Sequence, residues 1–181
     1  MQRARRQTPS EKRMDGLVDK CIIGQKNFHP LIHQSNNPLF TMLRQAFHEL
    51  TVPTRGRGLC EFTREVEAWV GQNRFQDGLL TIHLQHTSAS LLIQENADPD
   101  VRRDLEAFFQ RLVPDGDPLF VHTLEGDDDM PAHICTALTT VNLGIPVRGG
   151  RLVLGVWQGI YVWEHRIRGH ARRVTLHFIG E

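Results

Sequence analysis

The chain holds 181 residues with 21 Lys+Arg against 21 Asp+Glu, a length that suits one domain with room for an appendage. Zero formal net charge excludes a broadly basic nucleic-acid binder, and no apolar run reaches the ~18–20 residues that cross a bilayer. The charge is nevertheless unevenly placed: residues 1–41 carry 7 Lys+Arg and 3 Asp+Glu (net +4), and residues 42–181 carry 14 Arg and 18 Asp+Glu (net −4).

All three lysines, Lys12, Lys20 and Lys26, fall in the first segment, which also holds Pro9, Pro30, Pro38 and the polar run Gln34-Ser35-Asn36-Asn37. Without a sustained period, residues 1–41 read as a disordered or loosely attached extension, the alternative being an ordered arm. The basic start lacks the apolar stretch of a secretory signal, and Glu11, Asp15 and Asp19 argue against an organellar transit peptide. Met42 opens a different text and is expected as a translation start. Cys21, Cys60 and Cys135 form no CxxC pair, which points to buried thiols in a reducing cytoplasm rather than to a disulfide frame or zinc ribbon.

Residues 44–52 read as extended and are broken by Pro53-Thr54-Arg55-Gly56. Thr63 is placed to cap a short helix, with Glu65 and Glu67 in its first turn and Val66, Trp69 and Val70 on one face. Residues 79–86 alternate: Leu80, Ile82, Leu84 and His86 share one side, Thr81, His83 and Gln85 the other. A short apolar strand follows over 90–94. Asp98 as N-cap, Pro99 at the first helical position and Asp100 against the dipole then open a helix. In it Val101, Leu105, Phe108 and Leu112 recur as a core stripe, and Pro114-Asp115-Gly116 ends it. An extended piece is expected near 119–124 and a helix from Pro131 to about Thr139. Strands are expected over 152–157, 160–164 and 173–179, with Gln158-Gly159 as a tight hairpin turn. Strands clustered at the end, with helices between hairpins, predict an α+β fold rather than a doubly wound sheet.

His86 continues the inward face of a strand where an apolar residue is expected, so its imidazole needs a carboxylate, a backbone group or a metal as partner. A second cluster lies in residues 122–133, where His122, Glu125, Asp127, Asp128, Asp129 and His133 fall within twelve positions. With Pro131 opening the helix, His133 would sit on the first turn, where the dipole disfavours imidazolium and suits a metal ligand. The acids before Pro131 also read simply as dipole-stabilising residues of a solvated loop. Histidines from different elements with nearby carboxylates can hold Zn²⁺ or a similar ion. In Gly155-Val156-Trp157-Gln158-Gly159-Ile160, Gln158 can orient a ligand or a water and Trp157 can wall a pocket, the alternative being a hairpin with a core Trp. Arg166, Arg172 and Arg173 are phosphate candidates.

Three segments together resemble the YjbQ family, the secondary thiamine-phosphate synthases. They are His86-Thr87-Ser88-Ala89-Ser90 through Glu95-Asn96-Ala97-Asp98-Pro99, Glu125-Gly126 through Asp128-Asp129-Met130-Pro131-Ala132-His133, and Gly155-Val156-Trp157-Gln158-Gly159-Ile160. Their order, their spacing and the closing Gly180-Glu181 fit from about Met42 onward. The resemblance implies a YjbQ-like α+β domain over residues 42–181, with two sheets in a sandwich-like arrangement, assembled as a homotrimer. It also implies a weak thiamine-phosphate synthase activity, with a site among His86, Ser88, Glu95, Asn96, His122, Glu125, Asp128, His133, Trp157 and Gln158. Val156 departs from the family's usual Thr, Gln94 from a common Asn and Cys135 from a common Lys.

The expected reaction is a transfer: a pyrimidine diphosphate loses pyrophosphate as the thiazole phosphate nitrogen attacks its methylene carbon. In it His86, His122, His133 and Asp128 hold a divalent metal, Zn or Mg. Glu95, Asn96, Glu125 and Gln158 are catalytic, and Ser88, Trp157, Arg166 and Arg173 bind substrate. The partners expected are a small phosphorylated metabolite and other copies of the chain, without nucleic acid or membrane. The competing readings are metal-assisted hydrolysis of a small phosphorylated metabolite and a non-catalytic trimeric module that binds a metal or metabolite.

Overall fold

The computed structural model describes residues 43–181; the expected extension over residues 1–41 and the start at Met42 lie outside the described residues. The chain runs β1 (Arg44–Pro53), β2 (Gly58–Glu61), α1 (Thr63–Gln72), β3 (Gly78–Leu84), β4 (Ala89–Glu95), α2 (Pro99–Leu112), α3 (Asp129–Leu138), β5 (Asn142–Arg148), β6 (Arg151–Leu152), β7 (Gln158–Glu164) and β8 (Ala171–Gly180). The strands form a five-stranded sheet in the order β1-β8-β3-β5-β6 and a three-stranded sheet in the order β2-β7-β4, and every pairing is antiparallel. The fold is therefore α+β with two sheets, as expected.

Period-two burial builds the core. Leu80, Ile82 and Leu84 of β3 and Val174, Leu176 and Phe178 of β8 are buried and share one hydrophobic cluster with Leu91, Ile160 and Val162 of the smaller sheet. The apolar face of α1, Val66, Trp69 and Val70, closes this cluster. Trp69 meets Phe75 edge-on at 5.1 Å between ring centroids, and Phe75 stacks on Phe178 at 4.0 Å.

Several local expectations are corrected. Thr63 is the first helical residue rather than the cap. Its hydroxyl instead donates to Glu61 Oε1 (2.9 Å) and accepts from the Ile160 N–H (2.8 Å), tying α1 to β7. Asp98 does cap α2, accepting from the Asp100 N–H at 2.8 Å. The stripe on α2, however, is not core: Phe108 and Leu112 are 52% and 53% exposed. The helix packs instead through Phe109, edge-on to Trp163 at 4.6 Å, and through Glu106, which accepts from Trp163 Nε1 at 2.9 Å. Residues 119–124 form a loop rather than a strand, with Leu119, Val121 and Leu124 at least 84% exposed. β5 was not expected, because Gly144 and Pro146 interrupt its pattern. The strand expected over 152–157 shrinks to the two residues of β6. The turn falls at Gly155–Gln158, so Gln158 and Gly159 open β7.

At one end of β7 the two sheets are joined by buried charge. Glu164, fully buried, pairs with the nearly buried Arg172 of β8 and accepts from Thr54 Oγ1 at 2.8 Å. Burial works against its ionisation, but hydrogen bonds from Arg172, the Arg166 N–H and Thr54 outweigh burial and hold its pKa below the ordinary value. Next to it His165, 4% exposed, lies 2.9 Å from Ser90 Oγ.

Burial lowers the pKa of His165 from 6.5 to about 4. The unfolded chain takes up that proton at the ordinary value while the folded chain does not, so stability is lost as pH falls from 6.5 to about 4. The loss is about 3 kcal/mol by proton linkage. Urea unfolding of wild type and His165→Asn across this range should show a steeper fall for wild type; parallel curves would refute the assignment.

Candidate metal centre

Helix α3 begins at Asp129, two residues before Pro131, so Pro131 occupies the first turn, where its missing N–H has no partner to lose. This start moves His133 into the second turn. It also sets Asp129 and His133 four residues apart on one helix face. The preceding loop turns at Gly126, whose φ of 107° suits glycine, and the Asp129 N–H returns to the Gly126 carbonyl at 3.2 Å.

Three side chains converge here. Asp129 Oδ2 lies 2.7 Å from His122 Nε2 and 3.4 Å from His133 Nε2, and the ligand atoms of the three residues all lie within 4.8 Å of one another. His133 Nδ1 donates to the Thr87 carbonyl at 2.9 Å, since a carbonyl can only accept. In the neutral ring this tautomer leaves the Nε2 lone pair facing Asp129 and His122, the orientation that a backbone carbonyl commonly gives a metal-binding histidine. The Asp129 side chain is 3% exposed, His133 33% and His122 45%, so the carboxylate is buried and the imidazoles open one flank to solvent. Two imidazole nitrogens and one carboxylate oxygen suit a transition-metal cation such as Zn²⁺.

The other expected site residues are distributed as follows. Asp128 is not in the cluster: its carboxylate accepts from Arg166 Nε at 3.0 Å and from the Ile167 N–H at 2.8 Å. Burial opposes its ionisation, but these bonds prevail and lower its pKa. Arg166, expected on phosphate, is engaged by Asp128, Asp129 and the Glu125 carbonyl. The exposed Glu125 carboxylate stands 3.8 Å from Arg166. His86 lies outside the cluster and beyond the end of β3; its Nε2 accepts from the Arg173 N–H at 2.9 Å. Burial first, then Arg172 and Arg173, lowers its pKa. This is the backbone partner weighed for His86 as the alternative to a metal. The Arg173 side chain is exposed, and the Ser88 carbonyl accepts from Arg172 at 3.3 Å.

Glu95, Asn96, Trp157 and Gln158 gather at the opposite end of β4 and β7. Glu95 pairs with Gln158 in register, while Ala89 pairs with Glu164 at the histidine end. The two ends are thus roughly 20 Å apart at ~3.3 Å per residue. The Asn96 N–H donates to the Trp157 carbonyl at 3.0 Å. Trp157 is 64% exposed and thus not a core residue. Gln158 Oε1 accepts from the Gly155 N–H at 2.7 Å, which fixes the turn. A cleft of about 670 Å³ opens here between Glu61, Glu65, Asn96, Leu154 and Gln158.

Asp129 is the candidate site residue that sequence reasoning did not single out. It stood in a run of three acids, and its i, i+4 relation to His133 becomes visible only once the helix starts at Asp129 rather than Pro131.

Two antiparallel sheets, three helices and a histidine–aspartate cluster at one sheet end define a small α+β domain with a candidate cation site. The profile of the family described as UPF0047 protein YjbQ-like matches residues 48–181, and the chain belongs to this family. It is 49% identical to a UPF0047 protein of Synechocystis sp. over 138 residues, 76% of this chain and 94% of that one. It is 45% identical to the UPF0047 protein YjbQ of Escherichia coli O157:H7 over 133 residues, 73% and 96% of the two chains. A conserved hypothetical protein of Thermus thermophilus shares the fold in its crystal structure, with TM-score 0.64 and 36% identity over 71% of this chain and 97% of that one. A YbjQ-like protein from Sulfolobus solfataricus matches at TM-score 0.70 over 77% and 100%; at 24% identity the likeness is one of fold alone. Among the described residues no helix is long and apolar enough to cross a membrane.

Isothermal titration with Zn²⁺ tests the cluster. Asp129→Asn, His122→Ala and His133→Ala should each lose more affinity than the ~10–100-fold typical of an outer-shell change, while His86→Ala should bind as wild type does. Unchanged affinity in the Asp129 variant would remove the site.

Proposed function

We propose that this chain is a metal-dependent enzyme of small phosphorylated metabolites, acting in the cytoplasm as a homotrimer. The carrying observation is the convergence of His122, Asp129 and His133 within 4.8 Å, with His133 held by Thr87 in the tautomer that turns Nε2 to the cluster. A divalent cation held there would supply positive charge to a departing phosphate or diphosphate. Arg168 and His170 border a groove of about 380 Å³ beside Asp128 and Arg166, where they can meet the phosphate oxygens by charge-assisted hydrogen bonds. The reaction we assign first is the family resemblance's coupling of a pyrimidine diphosphate to a thiazole phosphate with release of pyrophosphate. One observation favours hydrolysis of a phosphorylated metabolite as a second reading: a two-histidine donor set suits Zn²⁺, whereas Mg²⁺ prefers oxygen ligands.

Self-assembly is part of the proposal. Phe108 and Leu112 on α2, and Leu119, Val121 and Leu124 on the loop carrying His122, are exposed apolar side chains in the single chain, which a neighbouring copy would cover. Asn96 and Gln158 also stand at the far end of β4 and β7 from the histidines, so one site containing both groups requires a neighbouring copy. The free thiols Cys60 and Cys135 suit a reducing compartment.

Purified full-length protein loaded with Zn²⁺ or Mg²⁺ should form thiamine phosphate from the two phosphorylated precursors. Asp129→Asn should lower turnover by more than about 100-fold, beyond the usual cost of an outer-shell change. Phosphate release from phosphoesters without coupling would select hydrolysis, and bound metal without turnover on either substrate set would leave a binding module. Light scattering should find three chains per particle for wild type and smaller particles for Phe108→Glu; a monomeric wild type would refute the trimer.

A further inference from the structure

Arg166 has no place in the chemistry above, yet it is among the most constrained side chains near the cluster. Its Nε donates to Asp128 Oδ2 at 3.0 Å, Nη1 to Asp129 Oδ1, and Nη2 to the Glu125 carbonyl at 2.7 Å. Its own N–H donates to Glu164 Oε1 at 3.0 Å, and the next residue's N–H, that of Ile167, donates to Asp128 at 2.8 Å. The side chain is only 13% exposed. One guanidinium therefore ties the β7–β8 connection to the 125–128 loop and to the first residue of α3. It has little hydrogen-bonding capacity left for a phosphate.

The effect on Asp129 is specific. Oδ1 belongs to Arg166, so Oδ2 is the oxygen turned to His122 and His133. The bond to Oδ1 disfavours rotation of the carboxylate, so a cation would meet a single, pre-aimed oxygen. Two consequences oppose each other. Aiming the donor raises cation affinity, because the ordering cost is met in the fold; a positive charge behind the ligand lowers it. The second effect is small here, since Arg166 is already paired with Asp128 at 3.0 Å and the pair presents little net charge. Aiming dominates.

We propose that Arg166 is a positioning residue that presents Asp129 as a one-oxygen ligand. This rests on the reading of His122, Asp129 and His133 as a divalent-cation site. Full-length wild type, Arg166→Lys and Arg166→Met are titrated with Co²⁺, following both affinity and the visible absorption bands. Both variants should bind about 10–100-fold more weakly, the usual cost of an outer-shell change, and their bands should change shape as the freed carboxylate adopts another coordination. A lysine retains the charge but not the fork, so wild-type behaviour in Arg166→Lys with tighter binding in Arg166→Met would show a charge effect only and overturn the proposal. If Arg166→Met does not fold, Asp128→Asn loosens the same guanidinium without touching a ligand and should alter the bands in the same direction; an unchanged spectrum and affinity would refute positioning. Wild type that takes up no Co²⁺ removes the cation site and this inference with it, whereas normal wild-type binding with unaltered variants removes this inference alone.

Discussion

The buried pair of Glu164 and Arg172 is the interaction on which the histidine end of the molecule depends. Glu164 closes β7 in the smaller sheet and Arg172 lies in β8 of the larger one, both almost without solvent contact. Such a pair adds little net stability over an apolar replacement, but leaving either charge alone costs about 3–5 kcal/mol. Its contribution is therefore to select one arrangement of the two sheets. The same carboxylate gathers Thr54 from the end of β1 and the Arg166 N–H, and the same guanidinium reaches the Ser88 carbonyl. The segments that frame the candidate site are thus indexed to one buried charge.

The site inherits its asymmetry from this frame. Thr87, just before β4, orients His133, and Arg166, just after β7, holds Asp129. Both anchors are set by the Ala89↔Glu164 end of one strand pair. At the other end of that pair Gln158 spends its carbonyl on the Gly155 turn, beside an acid-lined cleft. The proposed trimer reconciles the separation, since an antiparallel pair cannot bring its own two ends together.

Much of this was legible residue by residue. Asp98-Pro99 marked the start of α2 because capping is a local interaction, and Leu80, Ile82 and Leu84 marked a half-buried strand because side chains alternate. The Val101–Leu112 stripe is not core, and its Phe108 and Leu112 are exposed: periodicity reports that a face is apolar, not whether the fold covers it. Trp157, weighed as a pocket wall or a core residue, stands largely exposed at a turn. β5 was obscured by Gly144 and Pro146; it is hydrogen-bonded along β3, but β6 covers only its last two residues, at Val147 and Arg148.

By itself the sequence determined the α+β class, the central residues of β1, β3, β4 and β8 and, through the order of its three motifs, the family. Those properties are carried by short-range periodicity and fixed spacing. It also placed His122 and His133, with four acids, within twelve positions. Only tertiary structure decided that Asp129 rather than Asp128 joins them, that His86 turns to the Arg173 backbone, and that Arg166 is bound to acids rather than open to phosphate. Adjacent acids are equivalent in one dimension; in the fold Asp128 gives its carboxylate to Arg166 and the Ile167 N–H, whereas Asp129 opens α3, gives Oδ1 to the same arginine and turns Oδ2 to the histidines.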